Sequence, residues 1–143
     1  MKAVRFMNMM WPFSALLVEG RKTVETRRYP IPEAVGDRWV GIISTPMKAD
    51  GPMVVTGVVP TRYANPVKAE VIGFVRFGEC FEFTQDTWED MRPMHLVADD
   101  MSFGVLFGWP VREIVAIEPV PWRKEWKRGM VWALPPSDFP YPS

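Results

Sequence analysis

The chain has 143 residues, 48% hydrophobic and 24% charged, an ordinary globular composition at a length that suits one domain. Seventeen Lys/Arg balance seventeen Asp/Glu, which excludes a protein that holds nucleic acid by bulk charge alone; any such site must be local. A single cysteine, Cys80, excludes an intramolecular disulfide and a multi-cysteine zinc site, and no apolar run approaches the roughly 18 residues of a membrane helix.

Ala3 to Asn8 alternates and reads as a strand. Pro12 can open a helix, Phe13, Leu16 and Leu17 share one helical face, and Gly20 supplies a left-handed stop, so a helix is expected over about residues 12–19. Thr23 to Arg28 is short and β-branched, and Trp39 to Thr45 is an almost unbroken apolar run, the mark of a strand buried on both faces. Between residues 46 and 69 prolines interrupt everything except a short strand at Met53 to Val58. Glu70 to Cys80 alternates as a strand, Thr84 to Met91 reads as a helix capped by Thr84 or Asp86, and Phe103 to Phe107, Val111 to Val120 and Met130 to Leu134 read as further strands. The pattern predicts an α+β fold, a small β-barrel with a few short helices, over residues 1–134, followed by a proline- and aromatic-rich tail at 135–143. The tail cannot be helix or central strand. No GxGxxG or GxxxxGK[ST] is present, so a doubly wound nucleotide fold is not expected. The charged, alternating start from Met1 to Phe6 is unlike a signal peptide, and the expectation is a soluble, cytoplasmic protein.

Charge is segregated along the chain. Residues 1–78 carry 11 basic and 6 acidic residues, whereas residues 79–100 carry seven acidic residues against Arg92 alone. Such a neutral chain can present one basic and one acidic face, or the acidic stretch can be a solvated helix and loop.

The densest polar segment runs from Gly20 to Pro30. On a strand, Thr23, Glu25 and Arg27 project to one side. Glu25 and Arg27 in a cleft can hold one another ionised, leaving guanidinium donors for a phosphate or base edge, with Arg21, Lys22 and Arg28 nearby. The alternative is an exposed edge strand whose charges prevent sheet-to-sheet association. A second basic cluster, Trp122, Arg123, Lys124, Trp126, Lys127 and Arg128, combines stacking rings with backbone-binding cations. Here the alternative is a surface turn with Lys and Arg stems lying over the tryptophans. His95 is the sole histidine and more often such a residue is structural, although Asp99 and Asp100 follow it closely enough for an Asp–His pair. Cys80 beside Glu79 is a poor nucleophile. The methionines read as core filling. No cofactor or metal is expected.

The stretch from Trp11 to Arg27, with Gly20, Lys22, Glu25 and Arg27 in a G-x-K-x-x-E-x-R segment after a proline-aromatic helix, resembles the signature of the ASCH family, named for activating signal cointegrator homology, in the PUA-like superfamily. The resemblance continues through Gly36, Trp39 to Thr45, Glu70 to Val75, Pro119-Val120-Pro121 and Trp132-Ala133-Leu134. It implies a PUA-like β-barrel with a central cleft floored by Lys22, Glu25 and Arg27, and a role in binding RNA, single-stranded or modified nucleic acid, or a modified nucleoside. Some members are enzymes. Against the bacterial acetylcytidine amidohydrolases Lys22 matches the lysine, Glu25 stands where the threonine nucleophile would be, and Asp99 aligns with the third catalytic group. Other members are described as ribonucleases, for which Lys22 would stabilise phosphate charge and Glu25 act as base. The resemblance thus leaves a binder and a metal-independent hydrolase using Lys22, Glu25 and Asp99, and beside them stands a protein-interaction module using the aromatic tail and the acidic segment.

Overall fold

The computed structural model describes residues 4–101, 104–129 and 132–142. The alternating N-terminal segment forms strand β1 (Val4–Met10), which pairs in parallel with β3 (Val40–Thr45). Between them lie helix α1 (Phe13–Val18), all of whose residues are buried, and strand β2 (Val24–Arg27). Antiparallel pairing then adds β4 (Glu70–Phe77) to β3, and β6 (Phe107–Pro121) to β4. The start of β6 also pairs with β2 and with the short β5 (Phe81–Glu82). On the other flank β1 pairs with β8 (Trp132–Ala133), and β8 with β7 (Lys127–Arg128). Helices α2 (Gln85–Asp90) and α3 (Arg92–His95) follow β5. Thr84 caps α2: its hydroxyl accepts from the Thr87 amide while the Thr87 hydroxyl accepts from the Thr84 amide.

This is an α+β fold built on one mixed sheet, ordered β2-β6-β4-β3-β1-β8-β7. The expected barrel is not reached: among the described residues no pairing joins β2 at one end of the order to β1, β8 or β7 at the other. The gap is spanned instead by Arg27, whose Nη2 donates to the carbonyl of Asn8 on β1 at 2.9 Å.

Other departures have local causes. Met53 to Val58 is no strand, only a bridge between Val54 and Val97. Strand β4 stops at Phe77 rather than Cys80, because regular pairing with β6 lapses over Gly78 to Cys80 and resumes further along the same strand as β5. The expected break between residues 107 and 111 is absent, because Pro110 pairs with Val24 of β2, lies past the last β4 pair, and its carbonyl still accepts from Gly78. Phe103 and Met130 lie outside the described residues. Residues 104–106 are not strand, and the closing strand is Trp132–Ala133.

Two apolar clusters form the core. One, under α1 and α2, includes Leu17, Ile42, Ile72, Phe77, Trp88 and Trp109. The second, on the other face, includes Phe6, Ile43, Val71 and Phe74 with Trp122, Trp126 and Phe139 against it. The tail therefore packs: the Phe139 ring meets Phe6, Phe74 and Trp126 at 5.5–6.0 Å between centroids. No helix of the described residues is long and apolar enough to cross a membrane.

Candidate functional site

Lys22 reaches the interior because helix α1 ends in a tight reversal. Gly20 adopts φ +82°, and the Leu16 carbonyl accepts from the amides of both Arg21 and Lys22. The Thr23 amide then donates to the Met94 carbonyl, which ties the segment to α3. Lys22 is fully buried, and its Nζ donates to the His95 carbonyl at 2.5 Å, at the C-terminal end of α3 where carbonyls lack helical partners. It also sits 3.6 Å from Glu25 Oε1 and 5.2 Å from the Phe13 ring centre. Burial pushes the ammonium down to about 8, against the opposing pull of Glu25.

Glu25 is 5% exposed and shares its carboxylate between two cations: Oε1 faces Lys22, and Oε2 accepts from Arg27 Nε at 2.9 Å. The i, i+2 spacing places Glu25 and Arg27 on one side of β2, as the alternation predicts. The exposed-edge alternative fails, since Val24 on the opposite face is buried as deeply. Trp109, directly across the strand pair from Glu25, is buried, donates from Nε1 to the Tyr29 carbonyl and packs edge-on to Tyr29.

His95 is structural. The Val97 amide donates to Nδ1, so Nε2 carries the proton and donates to the Trp88 carbonyl, while the ring stacks on Trp88 at 3.9 Å. No Asp–His pair forms. Burial holds the imidazole down to about 4.

Arg27 is the outermost member of the chain Lys22–Glu25–Arg27, and it lines two cavities. The first, about 240 Å³, occupies the open seam of the sheet and is lined by Asn8, Arg27, Tyr29, Trp122, Lys127 and Trp132, among others. Both basic segments singled out in the sequence therefore meet here. The second, about 370 Å³, is lined by Arg27, Arg28 and Tyr29 with Trp88, Asp99 and Asp100. Neither Lys22 nor Glu25 lines either one.

The remaining predicted residues are dispersed. Asp99 accepts from the Met53 amide and stands in the second cavity, apart from the Lys22 contacts. Arg21 donates to the Val59 carbonyl and fastens the 46–69 segment. Arg123, Lys124 and Arg128 are exposed and line neither cavity. Trp126 is packed between Trp122 and Phe139 rather than open for stacking. Tyr29, Asn8, Trp109 and Trp132 were missed as site residues; the Tyr29-Pro30 end of the polar segment was the available signal for the first. No group of three or more His, Cys, Asp or Glu among the described residues could hold a metal ion.

No family model and no curated protein matches the sequence. Solved structures do. The ASCH protein of Zymomonas mobilis is 17% identical, with a TM-score of 0.55 over 81% of this chain and 71% of that one. This chain has an ASCH-like fold. A tyrosine-to-phenylalanine variant of the Zymomonas ASCH protein superposes with TM-score 0.57 at 20% identity, covering 84% of this chain and 76% of that one. A serine-to-alanine variant gives 0.54 at 21% identity, covering 81% and 72%.

Proposed function

We propose that this ASCH-like protein binds RNA or another single-stranded or modified nucleic acid, with one nucleotide held in the seam cavity. The observation that carries the reading is the convergence of Arg27 and Tyr29 with Trp122, Lys127 and Trp132 around about 240 Å³. Guanidinium and ammonium groups beside aromatic rings suit a phosphate and the base attached to it. The seam is also the more basic of the two cavities, since Asp99 and Asp100 offset Arg27 and Arg28 in the other. In this reading Lys22 and Glu25 do not touch the strand; they hold Arg27 oriented.

The test is a calorimetric titration of a short single-stranded RNA into wild type and Arg27→Ala at two salt concentrations, with the product strands sized afterwards. The reading predicts affinity at least about tenfold weaker in Arg27→Ala, with a salt slope shallower by about one. Equal affinities would overturn it.

A second reading, metal-independent hydrolysis of RNA or of an acylated nucleoside, is favoured by one observation. A buried lysine held down to about 8 beside a carboxylate suits proton transfer near neutrality. Shortened strands or a deacylated nucleoside in the same titration would support it.

A further inference from the structure

A cavity of about 790 Å³ lies where the C-terminal segment crosses the sheet beside β1 and β8. Three arginines line it: Arg5, Arg38 and Arg76. Arg76 is already neutralised, by Asp37 at 3.2 Å and Glu113 at 2.9 Å. Arg5 and Arg38 have no carboxylate partner among the described residues. The Arg5 guanidinium rests 4.3 Å from the centre of the Trp132 ring, and its Nε is the one buried side-chain nitrogen or oxygen among the described residues without a hydrogen-bond partner. A buried donor left unpaired is costly, so the donors that Arg5 has left for a ligand are those at the end of its guanidinium. A planar guanidinium fork backed by an indole matches the oxygens of a phosphate. The rings of Trp39, beneath the Arg76 guanidinium, and Tyr141, edge-on to Phe74, line the same cavity. The volume falls in the range of about 300–1,000 Å³ usual for ligand sites. Trp132 is common to this cavity and the seam cavity, so the two adjoin through one indole.

We propose that this cavity is a second, phosphate-recognising subsite that takes a neighbouring nucleotide of the strand held in the seam, with Arg5 and Arg38 as its phosphate donors. The proposal rests on the nucleic-acid reading of the seam. A free nucleotide carries the same chemistry, and a mononucleotide arm separates the two sources.

The experiment titrates a trinucleotide, an octanucleotide and a nucleoside 5′-monophosphate into wild type, Arg27→Ala, Arg38→Gln and Arg5→Gln/Arg38→Gln. Arg38 is exposed, so its single variant remains informative should the double variant unfold in a thermal melt. The expected result has four parts. The octanucleotide and the trinucleotide, both long enough to reach the neighbouring subsite, bind wild type at least about tenfold tighter than the monophosphate; Arg38→Gln removes most of that advantage; the octanucleotide's salt slope falls by about one; and monophosphate binding is unchanged. An octanucleotide advantage that is absent, or that survives both variants, overturns the subsite. Octanucleotide binding lost in Arg38→Gln but unchanged in Arg27→Ala overturns the seam reading and leaves this site standing. Monophosphate binding that depends on Arg38, with no length advantage, overturns the shared strand in favour of a free nucleotide. Binding by none of the three overturns both readings.

Discussion

At Glu25 two cations share one carboxylate, and the three side chains are ranked by exposure from Lys22 inward to Arg27 outward. Removing the middle charge while keeping its shape leaves Lys22 buried without a counter-ion. Glu25→Gln is therefore expected to destabilise the fold by about 3 kcal/mol at pH 6. The sign of the pH effect follows from proton counts. In the folded protein Lys22 titrates near 8, below its ordinary 10.5, so between those values the unfolded chain holds more protons and stability gained from this group rises with pH. Without Glu25 the folded value drops further. The deficit of the variant must then shrink as pH climbs toward 8, and chemical denaturation at pH 6 and pH 9 measures it; an equal deficit at both would contradict the account. His95 gives a cleaner readout, being the only histidine. Its folded value is depressed to about 4 from 6.5, so stability from this group is full above 6.5 and is lost as pH falls toward 4. Its ring carbons in an NMR titration should stay at the neutral shift through pH 6 and reach their midpoint only at about 4; a midpoint near 6.5 would place the ring in solvent.

At the scale of elements, much of the layout was legible because its signals are local. Helix α1 follows from Pro12, the Phe13/Leu16/Leu17 face and Gly20, and β3 from an unbroken apolar run. Thr84 announced the α2 cap. What stayed illegible depends on distant partners. Pro110 reads as a break, yet β6 runs through it because it lies beyond the last β4 pair, Phe77 with Val111, and its carbonyl still accepts from Gly78. Helix α3 is only four residues and includes Pro93, too short for any periodicity. Gly73 illustrates the same dependence. An added Cβ would lie 2.8 Å from the Val115 carbonyl oxygen and 2.8 Å from Val18 Cγ1, so the glycine is what lets α1 lie against the β4–β6 pair. Backbone on one side and a packed helix on the other leave little room to yield. Gly73→Ala should cost about 2–3 kcal/mol by chemical denaturation, and a loss below about 0.5 kcal/mol would show that α1 is free to move outward.

For the molecule as a whole, the defining feature is a sheet that stops short of closure, with the gap between β2 and β1 spanned by one arginine. The basic segments of the chain, about a hundred residues apart, come together there, through Arg27 on β2 and Lys127 on β7. Sequence alone marked both as basic, but their convergence is a property of strand order. It also could not tell that Arg21, Arg123, Lys124 and Arg128 fall outside the cavity. The acidic stretch is likewise divided by the fold: Glu89 pairs with Arg92, while Asp99 and Asp100 line the cavity on the other side of Arg27. In the proposed reading a polyanion binds on the more basic side of that residue. The tail, which composition left as a candidate interaction arm, spends Phe139 on the second core cluster. The measurement that bears most directly on the seam as the binding site is an NMR titration of a single-stranded trinucleotide, followed at the indole N–H signals. The account predicts that Trp122 and Trp132 shift in wild type and that Trp88, behind the acidic cavity, does not, with all shifts lost in Arg27→Ala. Shifts confined to Trp88, or shifts of Trp122 and Trp132 that persist without Arg27, would contradict it.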